Sequence, residues 1–134
     1  MNTLTMAPCG LQKILIVDDD VRSTNLLKML LERTGRYAVS VENESENAIE
    51  ASVRLHPDLI LLDIVMPHLD GTTLAYRIRS HAGLEDIPII FVTGVVPRET
   101  SSPHSKLGDF PFIPKPVDMQ EALDTIGKVL PPRA

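Results

Sequence analysis

The feature that most constrains this chain is a strict alternation of two hydrophobic periods. Five short runs rich in β-branched, leucine and aromatic residues, "KILIV" at 13–17, "YAVSVE" at 37–42, "DLILL" at 58–62, "PIIFV" at 88–92 and "PFI" at 111–113, are separated by longer segments of helical period. The runs at 13–17, 58–62 and 88–92 are apolar throughout, as central strands of a parallel sheet must be when helices cover both faces. "YAVSVE" alternates more and suits an edge. Between the strands, 21–34 places Leu26, Leu27, Leu30 and Leu31 on one stripe, and 44–55 and 72–80 repeat the pattern more weakly. Met119, Ala122, Leu123, Ile126 and Leu130 form a similar stripe in the last helix. Connections this short permit only right-handed crossovers, so the prediction is a doubly wound α/β domain on a five-stranded parallel sheet.

Of the 134 residues, 13–130 are predicted to form this domain, after a flexible leader at 1–12 and before a tail at 131–134. The leader "MNTLTMAPCG" has neither a basic start nor a long apolar core, so it does not read as a signal peptide. No apolar run approaches the roughly 18 residues that span a bilayer. The single cysteine, Cys9, lies in the leader, which rules out an internal disulfide framework and suits a reducing cytoplasm. The net charge is −5 and the basic residues are spread along the chain, so no surface is marked for nucleic acid or membrane. These features predict a cytoplasmic protein with protein or small-molecule partners.

One helix is poorly encoded. The segment "GVVPRETSSPHSKLGDF" at 94–110 contains Pro97, Pro103 and Gly108, which would break a full-length helix. Its local signals predict a late start, with Ser102 as N-cap and Pro103 at the first helical position.

In an open parallel sheet the carboxyl ends of the strands line the crevice where ligands sit. Here the first strand ends in Asp18, Asp19 and Asp20, the third in Asp63 and the fourth in Thr93, and Lys115 follows the fifth. Taken singly, each has a plain structural role: Asp20 and Asp70 read as helix N-caps, Thr93 as a strand-end hydroxyl, Lys115 as a loop lysine. The set does not. Asp18, Asp19 and Asp63 would converge at one edge, and clustered carboxylates raise one another's pKa unless a cation sits among them. Carboxylate oxygens with room for water suit Mg²⁺, an ion that commonly handles phosphate.

The motifs "ILIVDDD", "PDLILLDIVMPHLDG", "IPIIFVTG" and "FIPKPV", in this order and spacing, resemble the receiver domain of two-component response regulators over residues 13 to about 130. The resemblance implies a flavodoxin-like (βα)5 fold with strand order 2-1-3-4-5. It implies that Asp63 is the phosphoacceptor, that Asp18, Asp19 and Asp63 with the backbone carbonyl of Val65 hold Mg²⁺, that Thr93 contacts the phosphoryl group, and that Lys115 pairs with it. Phe112 falls at the family's aromatic switch position, acting with Thr93, and the Lys115–Pro116 bond is expected to be cis. Pro67 and Gly71 shape the loop after Asp63, and Gly94 keeps the small residue that leaves access to the phosphate. Val65 and Val95 flank the path of the attacking water, where neither side chain can orient it, so slow self-dephosphorylation is expected.

The implied partner is a histidine kinase or histidine phosphotransfer protein, and the expectation is a stand-alone, single-domain receiver that signals by conformational change, not an enzyme. His56, His68, His81 and His104 lie in loops or near helix ends without partner spacing, so they read as surface residues and the donor histidine belongs on another protein. The irregular segment at 94–110 departs from the family where its members often transmit the signal. Two alternatives stand beside this reading. A Mg²⁺-dependent phosphohydrolase with an aspartate nucleophile would use an Asp pair two residues apart, which Asp18 and Asp20 supply. A flavodoxin-like FMN carrier would want a Ser/Thr/Gly-rich phosphate loop after the first strand, and none is present.

Overall fold

The computed structural model describes residues 10–94, 106, 107 and 110–131. In chain order these form β1 (Gln12–Val17), α1 (Val21–Glu32), β2 (Tyr37–Glu42), a 3-10 turn (Ser45–Asn47), α2 (Ala48–Leu55), β3 (Leu59–Leu62), α3 (Gly71–Ser80), β4 (Ile89–Thr93), β5 (Lys106–Leu107), β6 (Phe110–Pro114) and α4 (Met119–Val129). The sheet runs β2-β1-β3-β4-β6-β5. Its first five members are all parallel, which is the 2-1-3-4-5 order expected, with β6 as the fifth parallel strand.

Period-two alternation along the strands builds a core on each face of the sheet. From β1, Leu15 and Val17 join Ile60, Leu62 and Phe91 against Ala48 and Ala51 of α2 and Leu74 and Ile78 of α3. Ile14 and Ile16 face the other way, with Leu61 and Val92, against Leu27 and Leu31 of α1 and Ala122 and Ile126 of α4. Each fully buried Leu or Ile contributes about 1.5–3 kcal/mol relative to exposure, so both faces favour one register.

Helix ends follow the local chemistry. Asp20 caps α1 by accepting from the backbone N–H groups of Arg22 and Ser23, and Asp70 caps α3 by accepting from Thr73. At the end of α2, His56 adopts a left-handed conformation (φ 45°) and closes the helix through its N–H to Ser52. The Lys115–Pro116 bond is cis.

One expectation is corrected and another is bounded by a strand. Leu26 belongs to the predicted apolar stripe but is 54% exposed, because α1 seats only its Leu27 and Leu31 edge on the sheet. The predicted start of a helix at Ser102 and Pro103 lies outside the described residues, yet Lys106 and Leu107, which such a helix would run into, form a strand antiparallel to Pro111 and Phe110. Covering the open edge of β6 is a tertiary gain that capping signals do not report.

Candidate functional site

Neighbouring strands carry their hydrogen bonding one step past their ends, and that step assembles the site. The Asp63 N–H donates to the Val17 carbonyl at 2.9 Å, the Asp18 N–H to Glu42 at 3.2 Å, and the Lys115 N–H to Thr93 at 2.9 Å. Asp18, Asp63, Thr93 and Lys115 are thereby brought to the carboxyl edge of β1, β3, β4 and β6.

Oxygens from the carboxylates of Asp18, Asp19 and Asp63 lie within 4.8 Å of one another. Asp18 and Asp63 are buried and Asp19 is exposed, so the cluster opens to solvent on one side. Lys115 Nζ lies 2.7 Å from Asp18 Oδ2 and 3.8 Å from Asp63 Oδ2. The remaining oxygen of Asp18 accepts from the Asp20 N–H at 3.0 Å. Asp18 is therefore held at both oxygens. Three carboxylates face one ammonium, and hard oxygen donors around a gap short of positive charge fit a divalent ion such as Mg²⁺.

Electrostatics agree with that deficit. Burial pushes the Asp63 carboxyl above its ordinary value, the Asp18 charge pushes it further, and Lys115 with the N–H groups of Ile64 and Val65 offsets only part of this. Burial also works against the Lys115 ammonium. Its hydrogen bond to Asp18 and the charges of Asp18, Asp63 and Asp20 outweigh that penalty and raise its pKa.

The loop after β3 is shaped by close approach. Gly71 opens α3 directly against Asp63, and a Cβ at this position would clash with the Asp63 carbonyl oxygen and lie 2.7 Å from Ile64 Cα. Its N–H donates to the Ile64 carbonyl at 2.7 Å. Val65, on the same loop, is 60% exposed. Thr93 is fully buried, and Phe112 is buried among the side chains facing α2 and α3, paired with Phe91 across the sheet. Val95 and His104 lie outside the described residues; His56, His68 and His81 are exposed. A cavity of about 570 Å³ runs from Asp18, Asp63 and Lys115 between α1 and α4, with an interior of Ile16, Leu61, Val92, Leu27, Leu30 and Met119.

Three residues at the site had no signal in the sequence. Asn43 donates from Nδ2 to the Asp18 carbonyl at 2.7 Å and to Thr24 Oγ1 at 3.1 Å. Thr24, buried in α1, in turn donates to the Val21 carbonyl at 3.0 Å. Ser45, also buried, donates from Oγ to the Pro67 carbonyl at 3.0 Å. The contacts made by Asn43 and Ser45 span 19 to 25 residues, beyond the reach of any local pattern.

Comparison with known proteins gives one consistent result. The family described as "Response regulator receiver domain" matches residues 14–127. Protein PilH of Pseudomonas aeruginosa is 35% identical over 119 residues, which cover 88% of this chain and 97% of that protein. The DNA-binding dual master transcriptional regulator RpaA of Synechocystis sp. is 31% identical over 118 residues, 88% of this chain and 48% of RpaA, so the chain spans about half the length of that relative. Among solved structures, a putative response regulator from Chloroflexus aurantiacus superposes with a TM-score of 0.78 at 27% identity, covering 90% of this chain and 98% of that one.

Proposed function

The chain belongs to the response regulator receiver family, and from that premise we propose that it takes a phosphoryl group onto Asp63 from a histidine kinase or histidine phosphotransfer protein. The observation that carries this reading is the setting of Asp63, a buried carboxylate between the acidic pair Asp18 and Asp19 and the ammonium of Lys115. An Asp63 oxygen attacks phosphorus in line, the phosphorus–nitrogen bond of the donor breaks, and the donor nitrogen keeps the electron pair. The transition state is loose, so positioning and charge neutralisation do most of the work. Lys115, kept cationic by its acidic neighbours, supplies one positive charge, and the Thr93 hydroxyl supplies a hydrogen bond to the new phosphoryl group. Mg²⁺, held by Asp18, Asp19, Asp63 and the Val65 carbonyl, would add the remaining neutralisation. The signal then passes through Thr93 and Phe112 to the surface, as a stand-alone or joined receiver would use it, in the cytoplasm.

Asp20 weighs against the phosphohydrolase alternative. That mechanism needs Asp20 as a proton donor, but its carboxylate is occupied by the N–H groups of Arg22 and Ser23 and by the Ser23 hydroxyl, and hydrogen bonding by Ser23 lowers its pKa. A general acid needs the opposite shift. No helix among the described residues is long and apolar enough to cross a membrane.

The test is incubation with phosphoramidate, a small nitrogen–phosphorus donor, with and without Mg²⁺, followed by intact-mass measurement. One added phosphoryl group per chain, absent in excess chelator, is expected. No incorporation with Mg²⁺ present contradicts the proposal.

A further inference from the structure

We propose that Asn43 and Ser45, at the exit of β2, are positioning residues that hold the two acid-bearing loops at the spacing a divalent ion requires; this rests on the metal reading above. The acids arrive on separate loops, Asp18 and Asp19 after β1 and Asp63 after β3. Each loop is tied to the same short segment. Asn43 grips the first through the Asp18 carbonyl at 2.7 Å and anchors itself on Thr24 at 3.1 Å. Ser45 grips the second through the Pro67 carbonyl at 3.0 Å.

The first grip bears on Asp19. Asp18 already has its N–H and both carboxylate oxygens engaged, by Glu42, Asp20 and Lys115. Asn43 takes its carbonyl, which fixes the peptide plane leading into Asp19. Among the described residues none hydrogen-bonds the exposed Asp19 carboxylate, so its aim is set by that backbone. The second grip bears on the loop that carries Val65, two residues before Pro67. Supporting groups of this kind orient ligands and set metal affinity although they never touch the ion.

The same geometry separates positioning from mere stability. Ser52 is buried in α2 and its hydroxyl donates to the Ala48 carbonyl at 2.8 Å, within its own helix and not to either loop. Mg²⁺ is titrated into the unphosphorylated protein and its dissociation constant read from the backbone amide shifts of Asp18, Asp19 and Asp63, beside thermal unfolding of each variant. Asn43→Ala and Ser45→Ala are each expected to weaken Mg²⁺ binding by roughly 10-fold, whereas Ser52→Ala lowers the unfolding temperature and leaves Mg²⁺ affinity unchanged. If one loop variant fails to fold, the other carries the test. Unchanged affinity in a folded loop variant, or an equal loss in Ser52→Ala, overturns the inference while leaving the phosphoacceptor reading intact. Absence of saturable Mg²⁺ binding in the unaltered protein overturns both.

Discussion

Gly71 faces the main-chain carbonyl of Asp63 so closely that a single methyl group on Gly71 would clash with that oxygen. The first turn of α3 and the Asp63 backbone are therefore one packed unit, and α3 can begin here only because this residue lacks a Cβ. Gly71→Ala is expected to destabilise the domain by about 1–3 kcal/mol, the usual cost of overpacking, and to slow phosphorylation of the folded fraction by moving the Asp63 backbone. Chemical denaturation and the phosphoramidate reaction check the two effects. Wild-type stability and rate in this variant would mean the loop yields freely.

Asp63 is expected to cost the metal-free protein stability at neutral pH. Burial and the Asp18 charge raise its native pKa above the ordinary 3.8. The folded state thus binds the proton more tightly than the unfolded chain, and stability falls as pH rises from the ordinary value through the raised one. Asp63→Asn should raise stability at pH 7 by on the order of 1 kcal/mol, roughly 4 °C for a domain of this size. The gain should disappear in acid, where both states are protonated, and shrink when Mg²⁺ stabilises the unaltered protein by binding its native state. Calorimetric unfolding at several pH values with chelator reads this directly; a loss of stability in the variant at pH 7 contradicts it.

The lifetime of the phosphorylated state is expected to depend on Val65. Its side chain is exposed on the loop after Asp63, and a branched apolar group there can obstruct a water but cannot orient one. Val65→Asn should shorten the half-life of the phosphorylated protein, measured after the donor is removed with Mg²⁺ present. An unchanged half-life would show that another group governs access of the water. Val95, paired with Val65 in the sequence reading, lies outside the described residues.

Much of this arrangement is legible in the chain itself, for physical reasons. β1, β3 and β4 read as central strands because both of their faces are buried, which demands unbroken apolar runs. Asp18, Asp63, Thr93 and Lys115 sit where strand ends must fall once that order is accepted, and Asp20 and Asp70 announce their helices by local capping. The failures are equally physical. Leu26 is one residue from Leu27, a rotation of about 100° on a helix, so a run of leucines cannot say which edge meets the sheet. Lys106 and Leu107 pair with a strand that local signals cannot see. Asn43 and Ser45 look like ordinary turn residues, because their partners, Asp18 and Pro67, become neighbours only after the sheet has formed.

The central claim is that one carboxylate, Asp63, receives the phosphoryl group, and chemical mapping tests it most directly. The protein is phosphorylated with phosphoramidate and Mg²⁺, the acyl phosphate is reduced with borohydride, and the peptides are sequenced by mass spectrometry. Reduction converts a phosphorylated aspartate to homoserine and leaves free carboxylates unchanged. Homoserine at position 63, with no incorporation in Asp63→Asn, is the predicted result. Homoserine at Asp18, Asp19 or Asp20, or full labelling of Asp63→Asn, would contradict the account.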